Sequence, residues 1–154
     1  LHGSSAASDV YKRQLIDLEF QLDSRLKDDT FFIGDLPLSK VLLMNIANFP
    51  WIILVPRIND VSEIFDLNIE HQQRYFEECN FLLKGMSELY LSNKMNIATL
   101  GNIVPQLHTH IIVRFTHDDA WPSPVWSHSE NNQYNPEEAK LQIDKIGKLL
   151  DHYV

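Results

Sequence analysis

The amino-acid sequence predicts an α+β domain with a mostly antiparallel sheet, and three observations carry that expectation. Short β-rich runs at residues 31–33, 40–44, 51–55, 95–99 and 107–115 are joined by links of hairpin or loop length. Amid these runs Phe76, Cys79, Leu83, Met86 and Tyr90 keep spacings of three or four, the period of one long helix. Shorter helical periods stand near the two ends of the chain, completing the order helix, strands, long helix, strands, helix.

Residues 1–14 have no Met start, no consistent apolar period and no long apolar centre of the signal-peptide kind, and read as a non-native or disordered leader outside the fold. Leu15, Leu18, Leu22 and Leu26 then recur at three and four, a short amphipathic helix ending near residues 28–30. After the strand at 31–33, Gly34-Asp35 reads as a turn, and Pro37 restricts the backbone beyond it. The apolar runs 40–44 and 51–55 have strand length, and 45–50 links them most simply as a hairpin. Asn68 is a good N-cap for the long helix, which should run to about Leu91. On that helix Phe76, Cys79 and Met86 read as core, and Cys79 has no basic neighbour in sequence that would activate its thiol.

Residues 95–99 are the next expected strand and 100–105 a tight loop before the last one. The stretch Trp121-Pro-Ser-Pro-Val-Trp126 is too proline-rich for regular structure, so its two tryptophans must cover a surface of this domain or of a partner. Asn135-Pro-Glu-Glu138 combines an N-cap, Pro at the first helical position and Glu at the third; Ala139, Ile143, Ile146 and Leu150 give the closing helix its apolar stripe. The expected organisation is a leader at 1–14, a domain at 15–127, and a linker with the C-terminal helix at 128–154.

With 154 residues, 44% of them hydrophobic and 22% charged, the chain can bury one domain's core without disulfides. Its single cysteine excludes an internal disulfide and points to a reducing compartment, the cytoplasm. No apolar run approaches the roughly 18 residues that a membrane span needs. A formal net charge of -8 with no Lys/Arg cluster argues against DNA or long RNA as a partner. A small phosphorylated ligand is compatible with it, because backbone N–H groups and a few polar side chains hold a phosphate locally.

The chemistry-bearing stretch is Asn102-Ile-Val-Pro-Gln-Leu-His-Thr-His-Ile-Ile-Val-Arg114. In an extended segment Gln106, His108 and His110 share one face, and Leu107, Thr109, Ile111 and Val113 the other. Three readings of that polar face stand side by side. It is a strand turned to water, a zinc site short of ligands because Cys79 is the only cysteine, or a catalytic site built on imidazole.

Gln106-Leu-His108-Thr-His110-Ile-Ile resembles the signature of the histidine triad (HIT) family, in which three histidines alternate with apolar residues on one strand. The resemblance extends to Gly101-Asn102, to the strand Ile52-Ile-Leu-Val-Pro56, to the long helix and to the tryptophan-proline stretch, roughly residues 15–127 in all. It implies a five-stranded sheet carrying helices, a homodimer, and a nucleotide hydrolase or nucleotidyl transferase that needs no cofactor or metal. It also implies substrates of the diadenosine polyphosphate or nucleoside phosphoramidate type. His108 matches the middle histidine, the nucleophile that forms a nucleotidyl-histidine intermediate; His110 matches the third, a donor to phosphoryl oxygens. Gln106 occupies the first triad position, where an amide holds hydrogen bonds but exchanges no proton near neutral pH. Asn102 matches a phosphate-contacting glutamine, Gly101 lets the backbone approach a ligand, and Asn45 matches the residue that holds the ribose. Trp51 stands where family members carry an upstream histidine, so a noncatalytic or slow nucleotide-binding module is the alternative. Arg114 shares the polar face and reads as a solvated charge.

Overall fold

The computed structural model describes residues 19–154. The expected leader at 1–14, with Leu15 and Leu18, lies outside the described residues. A short helix α1 (Ser24–Asp29) leads into strands β1 (Thr30–Asp35), β2 (Ser39–Met44) and β3 (Trp51–Pro56). The long helix α2 (Ile69–Tyr90) comes next, then strands β4 (Lys94–Ala98) and β5 (Thr109–Arg114), and helix α3 (Pro136–Leu150). The five strands form one sheet in the order β1-β2-β3-β5-β4, and every neighbouring pair is antiparallel. The α+β class and the antiparallel five-stranded sheet are therefore as expected.

Among the described residues the helix near the start of the chain does not run as continuously as the leucine period implies. Residues 20–23 are not helical, and α1 begins only after Asp23, whose carboxylate accepts the Arg25 N–H. The reason lies far along the chain: the Gln106 amide accepts the Asp23 N–H and donates to the Gln21 carbonyl, taking backbone groups that a helix through this segment needs for itself. The turn expected at Gly34-Asp35 is also displaced, since both residues belong to β1, with a register shift between Phe32 and Gly34.

Each face of the sheet carries its own core. Ile52 and Leu54 of β3 and Ile111 and Val113 of β5 point to the side covered by α2 and α3, where Cys79, Leu82, Met86 and Ile146 pack on them. Trp51, Ile53 and Val55 of β3 and Ile112 of β5 point to the opposite side, with Leu26, Phe49, Val104 and Val125. Period-two alternation thus places His110 on the side without the long helix, as the motif implied. The stripe on α2 is rotated from the expected one: Tyr75, Cys79, Leu82 and Met86 are buried, while Phe76 is 67% exposed. Positions 75 and 76 both stand three or four residues before Cys79, and packing selects the first. Burial, then the neighbouring Glu78, pushes the Cys79 thiol up to about 12, in keeping with a core residue. Gly85 permits the close crossing of α3 over α2, since a Cβ there would lie 2.6 Å from Leu149 Cδ1.

Glu78 sits fully buried on the same helix face. Its Oε1 accepts the Leu38 N–H at 2.7 Å, and its Oε2 has no partner among the described residues. Burial raises its carboxyl pKa against the pull of nearby Ser39 and Leu38. The folded protein therefore holds this proton more tightly than the unfolded chain, and stability falls as pH rises through the interval between the two pKa values. Glu78→Gln should stabilise the protein, by on the order of 1 kcal/mol at pH 8 and by much less at pH 4. Thermal melts at both pH values test this, and a gain independent of pH contradicts the assignment.

Candidate functional site

The polar end of β5 opens onto a cavity of about 370 Å³. Its walls come from six parts of the chain: Leu26 and Asp29 of α1, Met44 of β2, Ile53 of β3, the loop 100–104, the two histidines, and Trp126. His110 lies in the middle of the sheet, paired with Ile53 on β3 and Ala98 on β4. His108 stands just before the β5 ladder, where Thr99 Oγ1 donates to its carbonyl at 2.7 Å and anchors it. The two rings are 5.0 Å apart between centroids and both side chains are largely buried.

The hydrogen bond made by His108 fixes which nitrogen of its neutral ring carries the proton. Nδ1 is 2.7 Å from the Gln106 carbonyl oxygen. A carbonyl only accepts, so Nδ1 carries the proton and the neutral ring keeps its lone pair on Nε2. His110 is held differently, with the Trp51 indole nitrogen 3.0 Å from its Nδ1. Burial, then the charge on His108, depresses the His110 pKa to about 4. Trp126 closes this cluster, its ring edge-on at 5.0 Å from His110 and 5.4 Å from Trp51. One of the two tryptophans of the proline-rich stretch thus covers the cavity, and the other lies over the Arg114 guanidinium.

The loop before β5 brings Gly101 and Asn102 to the cavity, as expected. Gly101 has φ +69°, a left-handed conformation that a side chain would strain, so glycine is needed for the turn itself. Gln106 is not among the lining residues, and both ends of its amide are engaged by the 21–23 segment. Through these two bonds Gln106 fastens the chain before α1 against the loop 100–105. Asn45 is likewise absent from the lining, and its Oδ1 accepts the Tyr134 N–H at 3.0 Å. The residue at the cavity on that side is Asp29, whose carbonyl accepts the Asn45 N–H.

Arg114 does not stand in solvent as expected. It is 1% exposed, its Nε and Nη2 grip the Asp118 carboxylate at 2.8 and 3.0 Å, and its remaining donors reach Asn96 and the Ser123 carbonyl. It is a buried strut that ties the end of β5 to the turn after it. Cys79 lies in the core on the helix side of the sheet, the face opposite His110, so it cannot join the histidines as a zinc ligand. Among the described residues no group of three or more His, Cys, Asp or Glu side chains is placed to hold a metal ion.

The family model described as HIT domain matches residues 25–117. Among solved structures, a histidine triad protein from Marinobacter aquaeolei VT8 is 46% identical, with 88% of this chain and 98% of that one covered and a TM-score of 0.85. One from Bradyrhizobium japonicum is 45% identical over 85% of this chain and 98% of that one, with a TM-score of 0.82. A diadenosine triphosphate hydrolase from Plasmodium falciparum is 18% identical over 94% of this chain and 93% of that one, with a TM-score of 0.56, a likeness of fold alone. No curated protein matches the chain.

Proposed function

The chain belongs to the histidine triad family, and from that premise we propose that it hydrolyses or transfers nucleotides at an α-phosphate through a nucleotidyl-histidine intermediate on His108. The observation that carries the reading is the hydrogen bond from His108 Nδ1 to the Gln106 carbonyl, which leaves the Nε2 lone pair on a ring at the cavity wall. In the first step Nε2 attacks the α-phosphorus, a P–N bond forms, and the bond to the leaving group breaks with its electron pair. In the second step water or an acceptor hydroxyl attacks the same phosphorus, the P–N bond breaks with its electron pair returning to Nε2, and the proton of the attacking O–H passes to the departed leaving group or to solvent. His110, beside the attacking ring, donates to the phosphoryl oxygens, where negative charge accumulates. Gly101 and Asn102 offer backbone and amide groups to the phosphate, and Leu26, Met44, Ile53 and Trp126 form apolar walls for a base. Diadenosine polyphosphates and nucleoside phosphoramidates are the substrate types that fit, and the Plasmodium falciparum hydrolase is a fold relative acting on the first of them.

Incubation with such a substrate, then an acid-free quench and peptide mass spectrometry, tests the intermediate. A nucleotide adduct on the peptide carrying His108 is the expected result. AMP binding with neither turnover nor adduct establishes instead the alternative, a noncatalytic nucleotide-binding module, which is favoured by Trp51 at the position of a family histidine and by the structural employment of Gln106.

A homodimer in the cytoplasm completes the proposal. β4 is an edge strand of the sheet, Ile97 on it is half exposed, and an uncovered edge is a place for a second copy to pair. Sedimentation at micromolar concentration should show a species of twice 17.9 kDa, and a monomer alone at high concentration refutes it. No helix among the described residues is long and apolar enough to cross a membrane.

A further inference from the structure

We propose that Trp51 is a positioning residue: its indole N–H fixes His110 in the tautomer that carries the proton on Nε2, making that ring a neutral, pre-aimed donor beside the nucleophile. The inference rests on the function proposed above for its catalytic meaning, but its structural content stands on geometry alone.

An indole nitrogen donates and never accepts, so the 3.0 Å contact between Trp51 Nε1 and His110 Nδ1 requires Nδ1 to be the acceptor. A neutral imidazole has one proton, and with Nδ1 unprotonated that proton is on Nε2. The contact is held by the sheet: Ile53 pairs with His110 and Trp51 with Ile112, so Trp51 and His110 are diagonal neighbours on one face of two antiparallel strands. Both side chains are buried, and Trp126 seals them edge-on. The adjacent histidines are thereby set in opposite states. His108 has its proton on Nδ1 and a lone pair on Nε2; His110 has a lone pair on Nδ1, taken by Trp51, and an N–H on Nε2.

The groups around His110 favour the neutral ring. β3 presents Trp51 and Ile53, and β4 presents Ala98 as its register partner; none of these titrates. The ionisable groups at the cavity are His108 on the same segment and Asp29 at the end of α1. Burial opposes protonation, and a proton on His108 would oppose it further, in line with a pKa of about 4. A hydrogen bond accepted by Nδ1 adds to this, because it stabilises the unprotonated nitrogen and is lost when that nitrogen takes a proton. A histidine at position 51 would titrate and could either donate or accept; an indole does not titrate and only donates, so the donor state of His110 no longer depends on a second imidazole.

The test is ¹⁵N NMR of the histidine rings between pH 4 and 8, without substrate, alongside the pH dependence of turnover. Wild type should show His110 with an unprotonated Nδ1 and a protonated Nε2 across pH 5–8. Trp51→Phe removes the N–H and keeps most of the apolar body. It should give a mixture of tautomers, raise the His110 midpoint by about one unit, and move the acid limb of kcat up with it. Site-specific replacement of Trp51 by benzothienylalanine, which puts sulfur where the N–H was at nearly the same volume, should do the same. It decides the matter if the Phe variant fails to fold. A wild-type ring protonated on Nδ1, or an unchanged tautomer and midpoint in the benzothienyl variant, overturns the inference. Absence of turnover in wild type together with the expected NMR pattern supports the positioning role and sinks only the catalytic reading of the site.

Discussion

His108→Ala is expected to lower turnover of a nucleoside phosphoramidate or dinucleoside polyphosphate by roughly 10³-fold or more, with AMP affinity changed by less than about tenfold. The first figure comes from removing the only group proposed to form the bond to phosphorus, which leaves positioning and charge stabilisation to act on an uncatalysed attack by water. It corresponds to about 4 kcal/mol of transition-state stabilisation. The second comes from the cavity: its walls are supplied mainly by α1, β2, β3, the loop 100–104 and Trp126, so most of a nucleotide's contacts survive loss of one ring. Steady-state kinetics with calorimetric AMP titration separates the two effects. Unchanged kcat removes His108 as the nucleophile, and lost affinity with preserved kcat makes it a binding residue only.

Arg114→Ala should cost about 3–5 kcal/mol of stability, the range for breaking a buried ion pair by deleting one partner. The guanidinium and the Asp118 carboxylate are 1% and 3% exposed, and Asp118 also accepts N–H groups of Phe115, Ala120 and Trp121. Removing the cation strands a buried anion whose remaining partners are backbone donors of one turn. Burial alone would raise the Asp118 pKa, but Arg114 and these donors hold it down to about 2. A depressed carboxyl contributes stability above its ordinary pKa and loses it as pH falls toward the depressed value. The wild type should therefore shed this contribution between about pH 4 and pH 2, and the variant should show a flatter profile there. For a chain of this size the melting temperature should drop by about 10 °C. The exposed pair Lys84–Glu88, at 4.0 Å with side chains 80% and 69% exposed, is the control, and Lys84→Ala should leave the melt nearly unmoved. A shift under about 2 °C for Arg114→Ala would remove the strut role.

The sheet was legible in the sequence because each strand obeys a local rule. Alternation along 107–113 separates the histidines from Leu107, Ile111 and Val113, and the chain folds with the latter in the helix-side core. The long helix was legible from Asn68 to its end for the same reason, its cap bonding to the His71 N–H as an N-cap should. Several departures from the sequence reading involve a partner outside the strand or helix pattern that suggested it. Gln106 shares a face with the histidines in the sequence pattern, yet its amide is bonded to residues more than 80 positions earlier. Arg114 looked solvated because Asp118 lies beyond the strand, where a strand pattern gives no hint of it. Asp29 carries no motif, and nothing in the proline-rich stretch says that Trp126 rather than Trp121 reaches the histidines; the fold brings both Asp29 and Trp126 there.

The tether between Gln106 and the 21–23 segment bears on how this protein is cut for experiments. The family match begins at residue 25 and ends at 117, so a fragment trimmed to those limits discards the carbonyl and the N–H that satisfy the Gln106 amide. It also discards α3, whose Ile146 is wholly enclosed in the main core, along with Val125 and Trp126 on the other side of the sheet. Such a fragment would bare oily surface on both faces at once, and a piece that keeps these contacts takes in residue 21 at one end and α3 at the other.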